Sequence, residues 1–149
     1  MRRLSEAIGT RVMSKATAER VGKLERVVFD VPPRRVVAVQ VSGKGLVDWS
    51  AVRGLGTDAA VIESEDHIRP AADAREDRAL GGALDWKGKR VLSDHGNELG
   101  TVTDIELDES TGTIEAVETT GGRVSADRLL ALGSYCLVVR EERAAALAG

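Results

Sequence analysis

Few side chains in this sequence have the types and spacing to do covalent chemistry. A nucleophile needs a base within reach, and the chain offers two histidines, His67 and His95, and one cysteine, Cys136. Cys136 lies in the apolar run YCLVV, where a lone thiol behaves as a small core hydrophobe, and no serine context completes a nucleophile–base pair. His95 beside Asp94, with the alternating carboxylates Asp104, Glu106 and Asp108, is the one constellation that invites a metal reading. It lacks the loop spacing of a calcium site, and carboxylates at alternate strand positions form one solvated face. The glycine-containing stretches GKGLVDW and GLGTD lack the strand-then-helix context of a phosphate cradle. The sequence therefore predicts no catalytic residue, no metal and no cofactor.

The elements that carry these residues come in two copies. GTRVMS (Gly9–Ser14) matches GKRVLS (Gly88–Ser93) 79 residues on, and VGKLERVVFD (Val21–Asp30) matches LGTVTDIELD (Leu99–Asp108) at 78. VVAVQV (Val36–Val41) matches IEAVET (Ile114–Thr119) at the same offset, and LGTDAAVIE (Leu55–Glu63) matches LGSYCLVVR (Leu132–Arg140) at 77. Four blocks in one order, with length changes only in turns, describe a tandem domain; a solenoid unit is far shorter. Each copy reads as about five short strands, with a brief helical turn near WSAVRGLG or ADRLLALG and tight hairpins at VPPR and ESTG. Short strands of this kind close into a small barrel, which hides its edges. The second strand of copy two places Thr103, Ile105 and Leu107 on a dry face and Asp104, Glu106 and Asp108 on a wet one. Trp49 and Trp86 are expected at a barrel mouth or a domain seam.

The fold class expected is mainly β: two tandem small β-barrels with an irregular or partly helical linker. The boundaries read 1–66, a linker 67–83 with a short helix around Ala72–Leu80, 84–142, and a frayed helical tail 143–149. Composition agrees with an aliphatic core, since 42% of residues are apolar and only 3% aromatic. A net charge of −3 offers no bulk attraction for a polyanion, so direct nucleic-acid contact is not expected. The charge is uneven: residues 1–66 hold 11 basic and 9 acidic side chains, residues 85–149 hold 7 and 12. MRRLSEAIGT has no apolar stretch after its basic residues, and no run reaches the length of a membrane span. With one cysteine and no disulfide framework, these features lead to the expectation of a cytoplasmic protein.

GKRVLSDHGNELGTVTDIELDESTGTIEAV resembles the PRC-barrel, a small β-barrel found in the photosynthetic reaction-centre H subunit and at the C-terminus of a ribosome maturation factor. The resemblance rests on the Gly88-x-x-Val91 opening, Leu99-Gly100, the strand ending at Asp108, and the Ile114–Val117 strand. Copy one carries Val21-Gly22, Asp30 and Val36–Val39 in the same places and departs at KATAER, where copy two has the DHGNE turn. The resemblance implies an adaptor that docks proteins or RNA–protein particles and has no shared catalytic residues.

The copies differ where docking would be decided. RVVFD and VVAVQV are apolar at both parities, whereas copy two has Glu106 at the Val28 position and Glu115 at the Val37 position. A barrel strand needs one dry face only, so copy one is expected to have a second covered surface around Val28, Val36 and Ala38. The cover would be the other barrel, a second subunit in a possible homodimer, or a partner protein. The interface candidates are thus Val28, Val36 and Ala38 with the acidic Glu106 and Asp108. The function expected is a non-catalytic cytoplasmic adaptor for an unidentified protein partner. The alternative is a factor of RNA processing or ribosome maturation that acts through a ribosomal protein.

Overall fold

Alternating β-branched residues and tight turns produce strands almost throughout. In a computed structural model, residues 2–141 are described, and the expected tail 143–149 lies outside them. The chain opens with β1 (Arg2–Arg3) and a single helical turn, α1 (Leu4–Ala7). The first barrel follows: β2 (Arg11–Ser14), β3 (Arg20–Asp30), β4 (Arg35–Val41), β5 (Gly45–Asp48), β6 (Val52–Leu55) and β7 (Ala59–Ile62). The linker carries α2 (Ala74–Leu80), whose Asp73 side chain accepts from the Glu76 N–H and so caps it. The second barrel contains β8 (Arg90–Ser93), β9 (Glu98–Leu107), β10 (Ile114–Thr119), β11 (Gly122–Ser125), β12 (Leu129–Leu132) and β13 (Cys136–Val139).

The two sheets have one topology. Strand order is β5-β4-β3-β2-β7-β6 in the first and β11-β10-β9-β8-β13-β12 in the second. In both, the last strand returns parallel to the first, β7 on β2 and β13 on β8, and every other pairing is antiparallel. Each sheet curls until its edge strands are joined by one 3-10 turn, at Trp49–Ala51 and Ala126–Arg128. The edges do not pair, so each barrel has an open seam.

Bulges correct the parity expected along the long strands. In β9 the register shifts by one residue between Val102 and Asp104, leaving Thr103 unpaired and exposed. The expected dry face of Thr103, Ile105 and Leu107 is therefore wrong at its first member, and Asp104, expected wet, is buried. In β4 the extra residue is Val37. Val36 is turned to the interior with Val39 and Val41, while Ala38 remains outside with Val28. The placement of Val36 on a second, outer face is corrected accordingly.

The barrels share one body. Arg35 bridges Thr113 in antiparallel fashion, the Val36 N–H donates to the Gly112 carbonyl at 2.8 Å, and the Ile114 N–H donates to Arg34 at 2.9 Å. The Arg34 Nε reaches the Leu129 carbonyl at 3.0 Å, and the Trp49 indole lies on Gly112. Both interiors belong to one continuous apolar cluster, from Leu4 and Val12 through Phe29 and Val36 to Ile114, Leu129 and Val139. Trp86 is buried in it.

Candidate docking surfaces

The outer face of β3, β4 and β5 has a row of side chains whose counterparts on β9, β10 and β11 are chemically different. In the first barrel the row reads Arg26, Gln40, Leu46, with Val28 and Ala38 beside it. In the second it reads Asp104, Glu118, Arg123, with Glu106 and Ala116 beside it. Each row receives the segment that precedes the other barrel.

On the first barrel that segment is the linker. Val28, Ala38 and Leu46 are buried under Ala79 and Leu84, with Val37 and Leu80 at the margin. Val28 keeps only 9% of its surface. The cover is the linker helix, an occupant absent from the three expected. Polar contacts hold it in place. Arg26 donates from Nε to Asp85 at 2.9 Å and from Nη1 to the Leu80 carbonyl at 3.1 Å. Arg75 ties α2 to Asp30 at 2.9 Å. Upstream, Arg69 extends the sheet: its N–H and carbonyl pair with those of Leu46, both at 2.8 Å. Its guanidinium grips Glu76 through two 2.7 Å hydrogen bonds and Asp48 through two more, from Nη2 at 2.7 Å and from Nε at 3.3 Å. The fork beside Glu76 holds that carboxyl down to about 2, well below the usual carboxylate range, and raises the Arg69 pKa in return.

On the second barrel the segment is the N-terminus. β1 pairs with β9, Arg2 opposite Leu107 and Arg3 opposite Glu106. The Asp104 carboxylate accepts from the Ser5 N–H at 3.1 Å, from the Ser5 hydroxyl, and from its neighbour's N–H, Ile105, at 2.8 Å. Arg3 stands 3.2 Å from Glu118.

The acidic candidates diverge. Asp104 turns to Ser5, Glu106 accepts from the Arg123 Nε at 3.1 Å, and Asp108 accepts from the backbone N–H and hydroxyl of Ser110 at 2.8 and 2.6 Å. Those hydrogen bonds lower the Asp108 pKa and make it a turn cap on an exposed hairpin. Glu106 has 13% of its side chain exposed, so it is the covered half of an ion pair whose cation is half-exposed, and not a free wet carboxylate. His95 lies 2.5 Å from Glu141, whose N–H donates to Asp94, and His67 sits in the linker far along the chain. Among the described residues no three His, Cys, Asp or Glu side chains cluster as metal ligands.

Several structural anchors were missed in the sequence. Lys89 donates to the carbonyls of Ala83, Gly133 and Ser134 at 2.8, 3.0 and 3.2 Å, and burial lowers its pKa. Nothing in the spacing of Lys89, Arg26 or Arg69 distinguishes them from surface cations. The repeat does carry a signal, however: Arg26 stands at the Asp104 position, so the two copies bear opposite charges where each binds its arm.

The family model for the PRC-barrel domain matches residues 1–68 and again residues 82–144. The chain belongs to the PRC-barrel family. No match is found among curated proteins. PRC-barrel domains are often protein-interaction modules. In this tandem PRC-barrel chain, no helix of the described residues is long and apolar enough to cross a membrane.

Proposed function

We propose that this chain is a non-catalytic cytoplasmic adaptor that docks a protein partner on a rigid pair of PRC-barrels. One observation supports the reading above all: two copies of an interaction fold are locked into one body by swapped arms, yet present unlike outer faces. A duplicated domain kept in fixed orientation offers a partner two different surfaces at a set spacing. The carboxylates that a metal reading would need are engaged in that framework, Asp104 with Ser5, Glu106 with Arg123 and Asp108 with Ser110.

The patch at Val28 and Ala38 is covered by α2, so docking falls to other surfaces, and homodimerisation is not needed to hide it. The test is capture of partners from a lysate of the source cells, with and without nuclease, followed by purified reconstitution. A specific stoichiometric protein that survives nuclease supports the reading. Capture only of nuclease-sensitive particles supports the ribosome-associated alternative, and turnover of a small molecule by the purified chain would overturn both.

A further inference from the structure

The first barrel shows what the edge of β5 accepts, and among the described residues the second barrel has the same edge without it. At β5, Ile68 and Arg69 lie alongside: Arg69 pairs main chain to main chain with Leu46, and Ile68 sits half-buried against the core. Gly45, at φ +153°, makes room; a Cβ there would lie 2.5 Å from the Arg69 carbonyl and 3.3 Å from Ile68 Cγ2. In β11 the register places Gly122 where Gly45 stands, Arg123 where Leu46 stands and Val124 where Val47 stands. Gly122 has φ +125°, and no described residue lies within 4 Å of where its Cβ would stand, whereas its counterpart meets Arg69 and Ile68. The alternation of the ladder turns the N–H and carbonyl of Arg123 outward, as it turns those of Leu46. Among the described residues no strand pairs with the outer edge of β11. Beside it is a hollow of about 290 Å³ whose lining includes Leu99, Thr119, Gly122, Val124, Arg128 and Glu141.

We infer that this edge is a strand-addition site for an extended segment of a partner protein, one that inserts a branched aliphatic residue and pairs its next residue with Arg123. The proposal rests on the docking reading above and names its surface. In sequence, the second copy does not repeat the branched aliphatic residue of the first. In the sequence alignment of the two copies Glu141 matches Ser64, so the residue type that matches Ile68 is the alanine at 145, which has no branched aliphatic side chain. The residue after the aliphatic one differs from Arg69. Asp48, which receives the Arg69 guanidinium, is replaced by Ser125, and Leu46 by the half-exposed Arg123. Arg123, paired through Nε with Glu106 and half-exposed, is a cation on the rim that an acidic residue there would share.

The probe is the peptide SEDHIEPA, which carries the Ile68 context with an acidic residue at the Arg69 place, titrated into the full chain and followed by amide chemical shifts. Shifts confined to Leu99 and Gly122–Ser125 are expected, with affinity falling at least about tenfold for SEDHAEPA. N-methylation of the residue after Ile removes the donor that Arg69 supplies to Leu46 and should abolish binding with the protein unaltered. Arg123→Pro removes the outward N–H, and proline is tolerated at that position of an edge strand. Shifts elsewhere, equal affinity of the methylated peptide, or binding that appears only after deletion of residues 142–149 would overturn the proposal; the last would make the chain's own terminus the occupant. Partner capture that persists in Arg123→Pro would leave the docking reading standing and remove this edge from it.

Discussion

Glu106 accepts a hydrogen bond from the Arg123 Nε at 3.1 Å, on the outer face where the first barrel buries Val28 in one cluster with Leu46. One diagonal of the same sheet is thus an ion pair in one copy and an apolar contact in the other. The difference follows from what lies above it: the linker, with Ala79 of α2 and Leu84 after it, on the first barrel, and the polar N-terminal arm on the second. Glu106→Ala removes a pair whose cation is half-exposed and should cost no more than about 1 kcal/mol. Val28→Glu places a carboxylate beneath α2 without a partner and should cost roughly 2–4 kcal/mol. Adding Leu46→Arg imports the pair found in the second barrel and should recover part of that loss. Urea unfolding of the two singles and the double completes the cycle, and strictly additive costs would show that the two diagonals are not equivalent.

The Ser5–Asp104 contact predicts how the N-terminal arm is held. Asp104→Ala leaves the Ser5 N–H without its acceptor, a loss of about 1–3 kcal/mol, whereas Ser5→Ala removes only the hydroxyl and should cost about 1 kcal/mol. Amide exchange should accelerate at Ser5 and Ile105 in Asp104→Ala, with the first barrel unchanged. Equal protection at Ser5 in wild type and variant would mean that β1 pairing, and not Asp104, fixes the arm.

Gly112 tests the seam between the barrels. Its φ is +77°, and a Cβ there would stand 2.8 Å from Trp49 Cε2 and 2.9 Å from Nε1. Gly112→Ala must either displace the indole or shift the hairpin that supplies the carbonyl to Val36. The left-handed backbone alone costs about 1–2 kcal/mol for a residue with a Cβ. In a Trp86→Phe background, Trp49 fluorescence should shift to the red and the melting temperature should fall by several degrees. An unshifted spectrum would mean that the indole does not rest on Gly112 in solution.

The tandem architecture was legible because a barrel strand leaves a periodic pattern and turns tolerate length changes. Four blocks in register were enough to place both sheets. Position-by-position facing was less legible, because bulges at Thr103 and Val37 reverse parity within a strand and nothing in either residue type announces a bulge. The apolar excess around Val28 called for a cover, and Val28 lies under the linker, whose helical run was visible while its docking was not. Anchors such as Arg69 depend on contacts made across folded distance. Only the comparison of the two copies, Arg26 against Asp104 or Leu46 against Arg123, carried information about them.

Acid should release the linker before it unfolds the barrels. Glu76 is bound by both terminal guanidinium nitrogens of Arg69 and by the Ala72 N–H at 2.7 Å, and its pKa is held down to about 2. A carboxyl depressed by folding stabilises the folded form fully above its ordinary value near 4.5, and that contribution is lost as pH falls toward 2. Glu76 is partly exposed, so solvent screening reduces the energy below what the shift alone would suggest. Protonation loosens the grip on Arg69, and with it the pairing of Arg69 to Leu46. Amide exchange at Arg69 and Leu46 should therefore rise between pH 4.5 and 2, ahead of exchange in β3 and β9. In Glu76→Gln the two amides should exchange faster already at neutral pH, and their acid dependence should flatten. A wild-type profile retained in Glu76→Gln would place the acid-sensitive group elsewhere, with Asp48 the next carboxylate to change.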